Sequence, residues 1–193
     1  MLINGRHAEE LRVAIVCDKE LEGYEVEIAE GGQQRGNIYR GVVANIEPSL
    51  DAAFIDFGVA KSGFLTANDV VEAAYHNKKA GENGKRPRID EMLQKGRSIL
   101  VQVQKEAVGN KGAALTTNIS IAGRYLVFLP LDASQRGLSR KVEDEALRRK
   151  IKEKARKLTL PDGAGYIVRT NAVDQTKTAL QTDLTALARL WAR

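Results

Sequence analysis

A chain of 193 residues with 43% hydrophobic content is long enough for one domain or two small ones and apolar enough to bury a core, which excludes a wholly disordered protein. Its net charge of +5 favours a polyanionic partner, either nucleic acid or an acidic membrane surface. A single cysteine excludes an internal disulfide, and there is neither a signal peptide nor a run of roughly 20 apolar residues, so the sequence reads as soluble and cytoplasmic with no transmembrane segment.

Residues 11–17 form a short apolar run, and Tyr24, Val26 and Ile28 alternate with Glu25, Glu27 and Ala29, the period of a strand. Residues 18–23 supply the turn between the two, and Gly31-Gly32 closes the unit. A two-stranded hairpin is marginal alone in water, so this one is expected to pack against something else. Cys17, at the end of the apolar run, reads as a buried small hydrophobe rather than a nucleophile.

Residues 37–117 read as all-β. Runs at 38–43, 52–57, 62–65 and 99–103 are separated by glycines and by the Glu47-Pro48-Ser49 turn. Short strands at this spacing predict a five-stranded Greek-key barrel of the OB type. Residues 76–88, with Gly81, Gly84 and Pro87 and little apolar content, read as a surface insertion.

Beyond residue 117 the pattern becomes mixed. Residues 125–129 predict a strand that ends at Pro130. Residues 143–158 predict a helix with the apolar stripe Val142, Leu147, Ile151, Ala155 and Leu158. Glu143, Asp144 and Glu145 crowd its first turn and Lys154, Arg156 and Lys157 its last, as the helix dipole favours. Pro161-Asp162-Gly163 reads as a turn and residues 165–170 as a strand. A last helix over 176–193 runs to the final residue without a cap, as expected of a chain cut from a longer one.

Several contiguous runs carry a family resemblance: Gly36-Asn37-Ile38-Tyr39-Arg40-Gly41, Ile46-Glu47-Pro48-Ser49-Leu50-Asp51-Ala52-Ala53-Phe54-Ile55-Asp56-Phe57-Gly58, Gly63-Phe64-Leu65, Lys105-Glu106 with Gly109-Asn110-Lys111-Gly112-Ala113-Ala114-Leu115-Thr116-Thr117, Arg124-Tyr125-Leu126-Val127 and Ile167-Val168-Arg169-Thr170. In this order they resemble the opening of the ribonuclease E and ribonuclease G family over nearly the whole chain. The resemblance implies an α+β fold in three parts. Residues 1–34 would be the first strands of a partial RNase H-like subdomain. Residues 35–118 would be an S1-type OB-fold inserted in it, and residues 119–193 a mixed α/β 5′-sensor subdomain. The parent implied is a magnesium-dependent endoribonuclease that cuts single-stranded RNA in mRNA decay and in rRNA and tRNA processing. The aspartates that hold magnesium, and a cysteine pair that joins protomers through zinc, belong in that family to a following DNase I-like subdomain. Neither has a counterpart here, so this chain is expected to hold no cofactor, no metal and no catalytic residue. A homo-oligomer, an RNA-degradation complex and a place at the inner membrane's periphery are implied for the parent alone.

The same resemblance assigns two sites. Phe54 and Phe64 match the family's RNA-stacking phenylalanines and Lys111 its RNA-contacting lysine, while Tyr39 and Arg40 lie on a strand able to share that face. Stacking on one ring contributes about 1–3 kcal/mol per base. Strand alternation puts residues 54, 56 and 58 on one face and 55 and 57 on the other, so Phe57 is expected in the core. Arg169 and Thr170 match the positions that bind a 5′-monophosphate, helped by backbone at Val127 and Gly123. A guanidinium offers paired planar donors to a terminal phosphate. From the residues alone, Phe54 is equally a core ring and Arg169 a solvated arginine at a strand end. The Gly109-Asn110-Lys111-Gly112 stretch lacks phosphate-loop spacing and reads as a hairpin turn. Arg148, Arg149, Lys150, Lys152 and Lys154 read as a solvated helix face. His7 and His76 have no ligand-spaced companions, and Asp51, Asp56 and Asp90 read as turn or surface residues. The competing reading is a stand-alone, non-enzymatic S1-type RNA-binding protein, against which the orphan hairpin and the uncapped last helix speak.

Overall fold

The computed structural model describes residues 1–7, 10–18, 20–28, 34–77 and 86–193. Contacts divide the chain into two units, Met1–Gln34 and Arg35–Arg193. In the first unit, β1 (Leu2–His7), β2 (Glu10–Cys17) and β3 (Glu20–Ile28) form an antiparallel sheet in that order. The sequence pattern gives β2 and β3 but misses β1, because Leu2-Ile3 is too short an apolar stretch to show a period. Asp18 turns the chain at the end of β2 with φ 47°, a left-handed conformation that Asp tolerates better than most residues. Cys17 is exposed, which corrects the expectation of a buried side chain. Its strand lies in a thin sheet whose Ile15 and Tyr24 also stand open, at 49% and 57%. Gly31-Gly32 lies outside the described residues.

The second unit begins with the barrel. β4 (Ile38–Glu47), β5 (Ala52–Asp56), β6 (Gly63–Thr66), β7 (Ser98–Lys105) and β8 (Ala114–Thr116) close in the order β4-β5-β6-β8-β7. Only the β6–β8 pairing is parallel; the other four are antiparallel. A meander of three strands whose third pairs with the fifth is the connectivity of an OB barrel. Val43, Ile55, Leu65, Val101 and Leu115 fill the interior, each at most 1% exposed. Each such burial contributes about 1.5–3 kcal/mol.

Residues 78–85 of the expected surface insertion lie outside the described residues. Directly after it the chain does something the sequence reading missed. The single-turn α1 (Ile89–Met92) sends Ile89 and Met92, both 0% exposed, into the barrel core. Asp51, the left-handed residue after the Pro48–Leu50 turn, fixes it by accepting from Ile89 N at 2.9 Å. Tyr75 packs against the same core, and burial pushes its phenol above the ordinary 10.0 while the nearby Arg86 pulls it back.

A four-stranded sheet follows, from β9 (Ile121–Ala122), β10 (Leu126–Leu129), β11 (Arg136–Leu138) and β12 (Gly165–Val168), in the order β11-β12-β10-β9. β11 and β12 run parallel and the rest antiparallel. α2 (Glu145–Arg156) and α3 (Lys177–Ala192) bury Ile151, Ala155, Leu180 and Leu184 with Leu126, Phe128, Tyr166 and Val168 of the sheet. Both helices start later than the charge pattern predicts, because Asp144 and Thr176 are caps, accepting from Leu147 N at 2.9 Å and Ala179 N at 3.2 Å. Leu147 of the expected stripe is exposed at 36%; Val142, ahead of the helix, is buried at 6%. Gln102, a buried polar residue of β7, ties barrel to sheet. Its amide donates to Gly36 O at 2.8 Å and Ser120 O at 2.9 Å, and accepts from Ser120 N at 2.8 Å. Fully satisfied in this way, it costs little to bury.

Candidate nucleic-acid interface

On the barrel's outer surface, one row of residues crosses all five strands. Asn45 of β4 faces Phe54 of β5, Phe54 faces Phe64 of β6, Phe64 faces Ala114 of β8, and Ala114 faces Lys105 of β7. A register shift between Val43 and Asn45 makes this possible. Before it, Gly41 and Val43 point inward; after it, Asn45 is exposed. A bulge changes which residues of a strand face out, and here it brings a polar side chain into the row. Phe54 and Phe64 are half-buried, and their rings meet edge-on with centroids 5.7 Å apart and planes at 61°. Ile55 and Phe57 are buried on the inner side, at 0% and 5%.

Lys111 is exposed at a tight turn, with Val108 N donating to Lys111 O at 3.2 Å and Lys111 N to Val108 O at 3.0 Å. Gly109 occupies the left-handed region there, with φ 56°. Lys61 pins the turn by donating from Nζ to Gly109 O at 2.6 Å. The row therefore ends among three exposed cations, Lys105, Lys111 and Lys61. Sequence reasoning chose only Lys111. Lys105 was visible in the quoted resemblance only as a neighbour of Glu106, and nothing in the sequence links Lys61 to residue 109.

Tyr39 and Arg40 are not brought to this row. Tyr39 lies on the inward side of β4, its ring edge-on to Phe57 at 5.1 Å, and its hydroxyl accepts from Asn37 Nδ2 at 3.3 Å. Arg40 is exposed, but it sits opposite Leu100 on the β7 flank, before the register shift.

The second group lies at the end of β12. Arg169 and Thr170 are exposed, with Thr170 opening the short 3-10 turn Thr170–Ala172. Arg169 N donates to Tyr125 O at 2.8 Å, and its guanidinium donates to Gly123 O at 2.5 Å. Gly123 N in turn donates to Leu126 O at 2.7 Å, and Val127 pairs with Ile167 and Ala122. The four matched residues thus converge on one turn. Two further side chains, which the sequence reading missed, shape it. Asp183 of α3 accepts from Arg124 N, Tyr125 N and Leu126 N at 3.2, 2.8 and 3.0 Å. A methyl group on Gly123 would lie 2.7 Å from Asp183 Oδ2 and 2.7 Å from Leu187 Cδ1, so only glycine lets the helix come this close. Ser139 N donates to Val168 O at 2.8 Å, extending the β11–β12 pairing to the end of β12.

In the basic helix α2, two cations are engaged rather than solvated. Arg148 donates to Val142 O at 2.6 Å and Lys154 to Gln175 O at 2.8 Å, while Arg149, 3.9 Å from Glu145, keeps its side chain 79% exposed. Asp56 accepts from Gly58 N at 3.1 Å, and Asp90 pairs with Arg88 at 3.3 Å. Among the described residues no three His, Cys, Asp or Glu side chains gather as a metal-holding group. Among the described residues, no helix is long and apolar enough to cross a membrane.

The fold and these two groups define an OB-type barrel module joined to an α/β sheet. The sequence model described as the Ribonuclease E/G family matches residues 120–193. Ribonuclease E of Escherichia coli strain K12 is 43% identical over 191 residues, covering 99% of this chain and 18% of the relative. Ribonuclease E of Haemophilus influenzae is 41% identical over 99% of this chain and 20% of its own length. Ribonuclease G of Escherichia coli strain K12 is 36% identical over 95% of this chain and 37% of its own length. The chain belongs to the ribonuclease E/G family. It spans about a fifth of the length of those ribonuclease E relatives. A solution structure of GSP13 from Bacillus subtilis aligns loosely, with TM-score 0.32 and 18% identity over 44% of this chain and 55% of that one.

Proposed function

We propose that this chain is the RNA-binding and 5′-monophosphate-sensing part of a magnesium-dependent, single-strand-specific endoribonuclease acting in mRNA decay and rRNA and tRNA processing. The observation that carries the reading is the outer row: two partly open rings side by side, ending in Lys105, Lys111 and Lys61. Rings for bases and cations for phosphates are what an OB face needs to hold a single strand without reading its sequence. The Arg169 turn supplies the end-specific contact. A terminal monophosphate carries more charge and more free oxygens than an internal phosphodiester, and paired guanidinium donors favour it. In this reading residues 35–118 are the S1-type domain, residues 119–193 the 5′ sensor, and residues 1–34 strands of an RNase H-like subdomain, whose other elements cover the exposed Leu2, Ile3 and Leu21. The role proposed for the chain is binding, and no step of it passes through magnesium.

The test is a titration of short single-stranded RNA bearing a 5′-monophosphate or a 5′-hydroxyl, at two salt concentrations. The monophosphate is expected to bind tighter, with Arg169→Gln removing the difference and Phe54→Ala weakening both RNAs alike. Equal binding of the two RNAs refutes end sensing by this chain, and no binding of either refutes both sites. RNA cleavage by the purified chain that requires magnesium refutes the binding-only role.

A further inference from the structure

A cavity of about 270 Å³ lies between α2 and the β11–β12 edge of the sheet. Arg136, Lys152 and Arg156 line it, with Leu138 and Leu160 as apolar wall and Tyr166 as a polar group. Arg136 and Tyr166 are direct neighbours in the parallel β11–β12 pairing, so they share the face that α2 covers. Tyr166 is 4% exposed as a residue, and its hydroxyl, at the cavity wall, makes no hydrogen bond to another described residue. Arg136, Lys152 and Arg156 have no acidic partner among the described residues, whereas Arg148 and Lys154 of the same helix are engaged. Burial raises the Tyr166 phenol above its ordinary pKa, and the Arg136 and Arg156 charges lower it. A free hydroxyl on the wall, beside three cations without acidic partners in a hollow with one apolar side, is a site arranged for an anion with an apolar body.

We propose that this cavity binds a nucleoside monophosphate, with its phosphate among Arg136, Arg156 and the Tyr166 hydroxyl and its base against Leu138 and Leu160. The volume lies just below the range of about 300–1,000 Å³ that holds drug-sized ligands, which suits one nucleotide and not a helix. The source is a free nucleotide or the phosphorylated end of an RNA strand, since the recognised chemistry is shared. The cavity opens on the α2 side of β12, whereas Arg169 follows the end of that strand, so this site and the proposed 5′-end site can fail separately.

Equilibrium dialysis of AMP against the 193-residue chain tests it. In the Arg169→Gln background, which removes the proposed 5′-end contact, AMP is expected to bind saturably and to weaken by about tenfold or more on adding Arg136→Gln/Arg156→Gln. All three arginines are exposed, so the variants are expected to fold, as circular dichroism will check. Adenosine binding as tightly as AMP, or inorganic phosphate competing equally well, overturns the assignment. So does an equal loss in Arg149→Gln on the same helix, or no saturable binding in Arg169→Gln at millimolar AMP. Displacement of AMP by a 3′-phosphorylated, 5′-hydroxyl RNA assigns the occupant to a strand end. Failure of that RNA to displace bound AMP assigns it to the free nucleotide.

Discussion

Arg169 and Asp183 hold the same turn through opposite polarities. The guanidinium donates to the Gly123 carbonyl at 2.5 Å, while the carboxylate accepts from Tyr125 N at 2.8 Å and Leu126 N at 3.0 Å. The two side chains come from β12's end and from α3, fourteen positions apart in the chain, and the turn of residues 123–126 is what connects them. In the proposed 5′-end site, Asp183 would therefore act on the phosphate through Arg169, as a positioning residue.

Asp183→Asn keeps the shape but replaces one acceptor oxygen with a donor that faces backbone N–H groups. An unsatisfied buried donor costs about 1–3 kcal/mol. The expected result is a several-fold smaller preference for 5′-monophosphate over 5′-hydroxyl RNA, with affinity for the hydroxyl form kept. An unchanged preference in the paired titration would separate Asp183 from the sensor. Gly123→Ala should do the same more severely, because its methyl would meet both Asp183 and Leu187 at 2.7 Å.

Phe54→Ala and Phe64→Ala should each weaken RNA binding by about 1–3 kcal/mol whatever the 5′ end. Because the rings touch at 5.7 Å, the double variant should cost a different amount from the sum of the singles. Strict additivity in a double-mutant cycle would mean that the two rings act on RNA independently.

Lys111→Gln should lower the slope of log affinity against log salt by about 0.7, the value for one phosphate contact on a single strand. Lys61→Met is expected to reproduce part of that loss, since Lys61 holds the Gly109 carbonyl next to Lys111. In the Lys111→Gln background it should add little. A full additional drop there would make Lys61 a phosphate contact in its own right.

Burial raises the Tyr166 phenol above the ordinary 10.0, against the pull of Arg136 and Arg156. A raised pKa in the folded state means that the native chain holds this proton more tightly than the unfolded chain. The associated stability is fully present below about pH 10 and is lost as pH climbs through the folded value. Urea unfolding from pH 8 to 11 should show a decline that is shallower in Tyr166→Phe. Equal declines would mean that another group titrates.

The barrel was legible in the sequence because its strands carry period-two patterns broken by glycine and Pro48, and the expected faces of Ile55 and Phe57 match the observed core. What escaped has local reasons. β9 and β11 are two and three residues long, too short to show a period. α1 is a single turn whose Ile89 and Met92 look apolar in any context. The Asp183 contact spans nearly sixty residues, so no local pattern reports it. Tyr39 went astray because a strand residue beside an exposed arginine does not reveal which of its faces is the core, and the register shift near Asn45 changes that answer partway along β4.

The angle between Phe54 and Phe64 also bears on which strands the barrel would accept. A base lying flat on each ring would be tilted from its neighbour by about the 61° that separates the ring planes. Bases in a continuous helical stack stay nearly parallel, so a strand can occupy both rings only by breaking its own stacking at that step. Weakly stacking, supple sequences give this up at small cost, while a duplex or a stiff purine run does not. A preference for slack, unpaired RNA would then arise from bending alone, with no base edge being read.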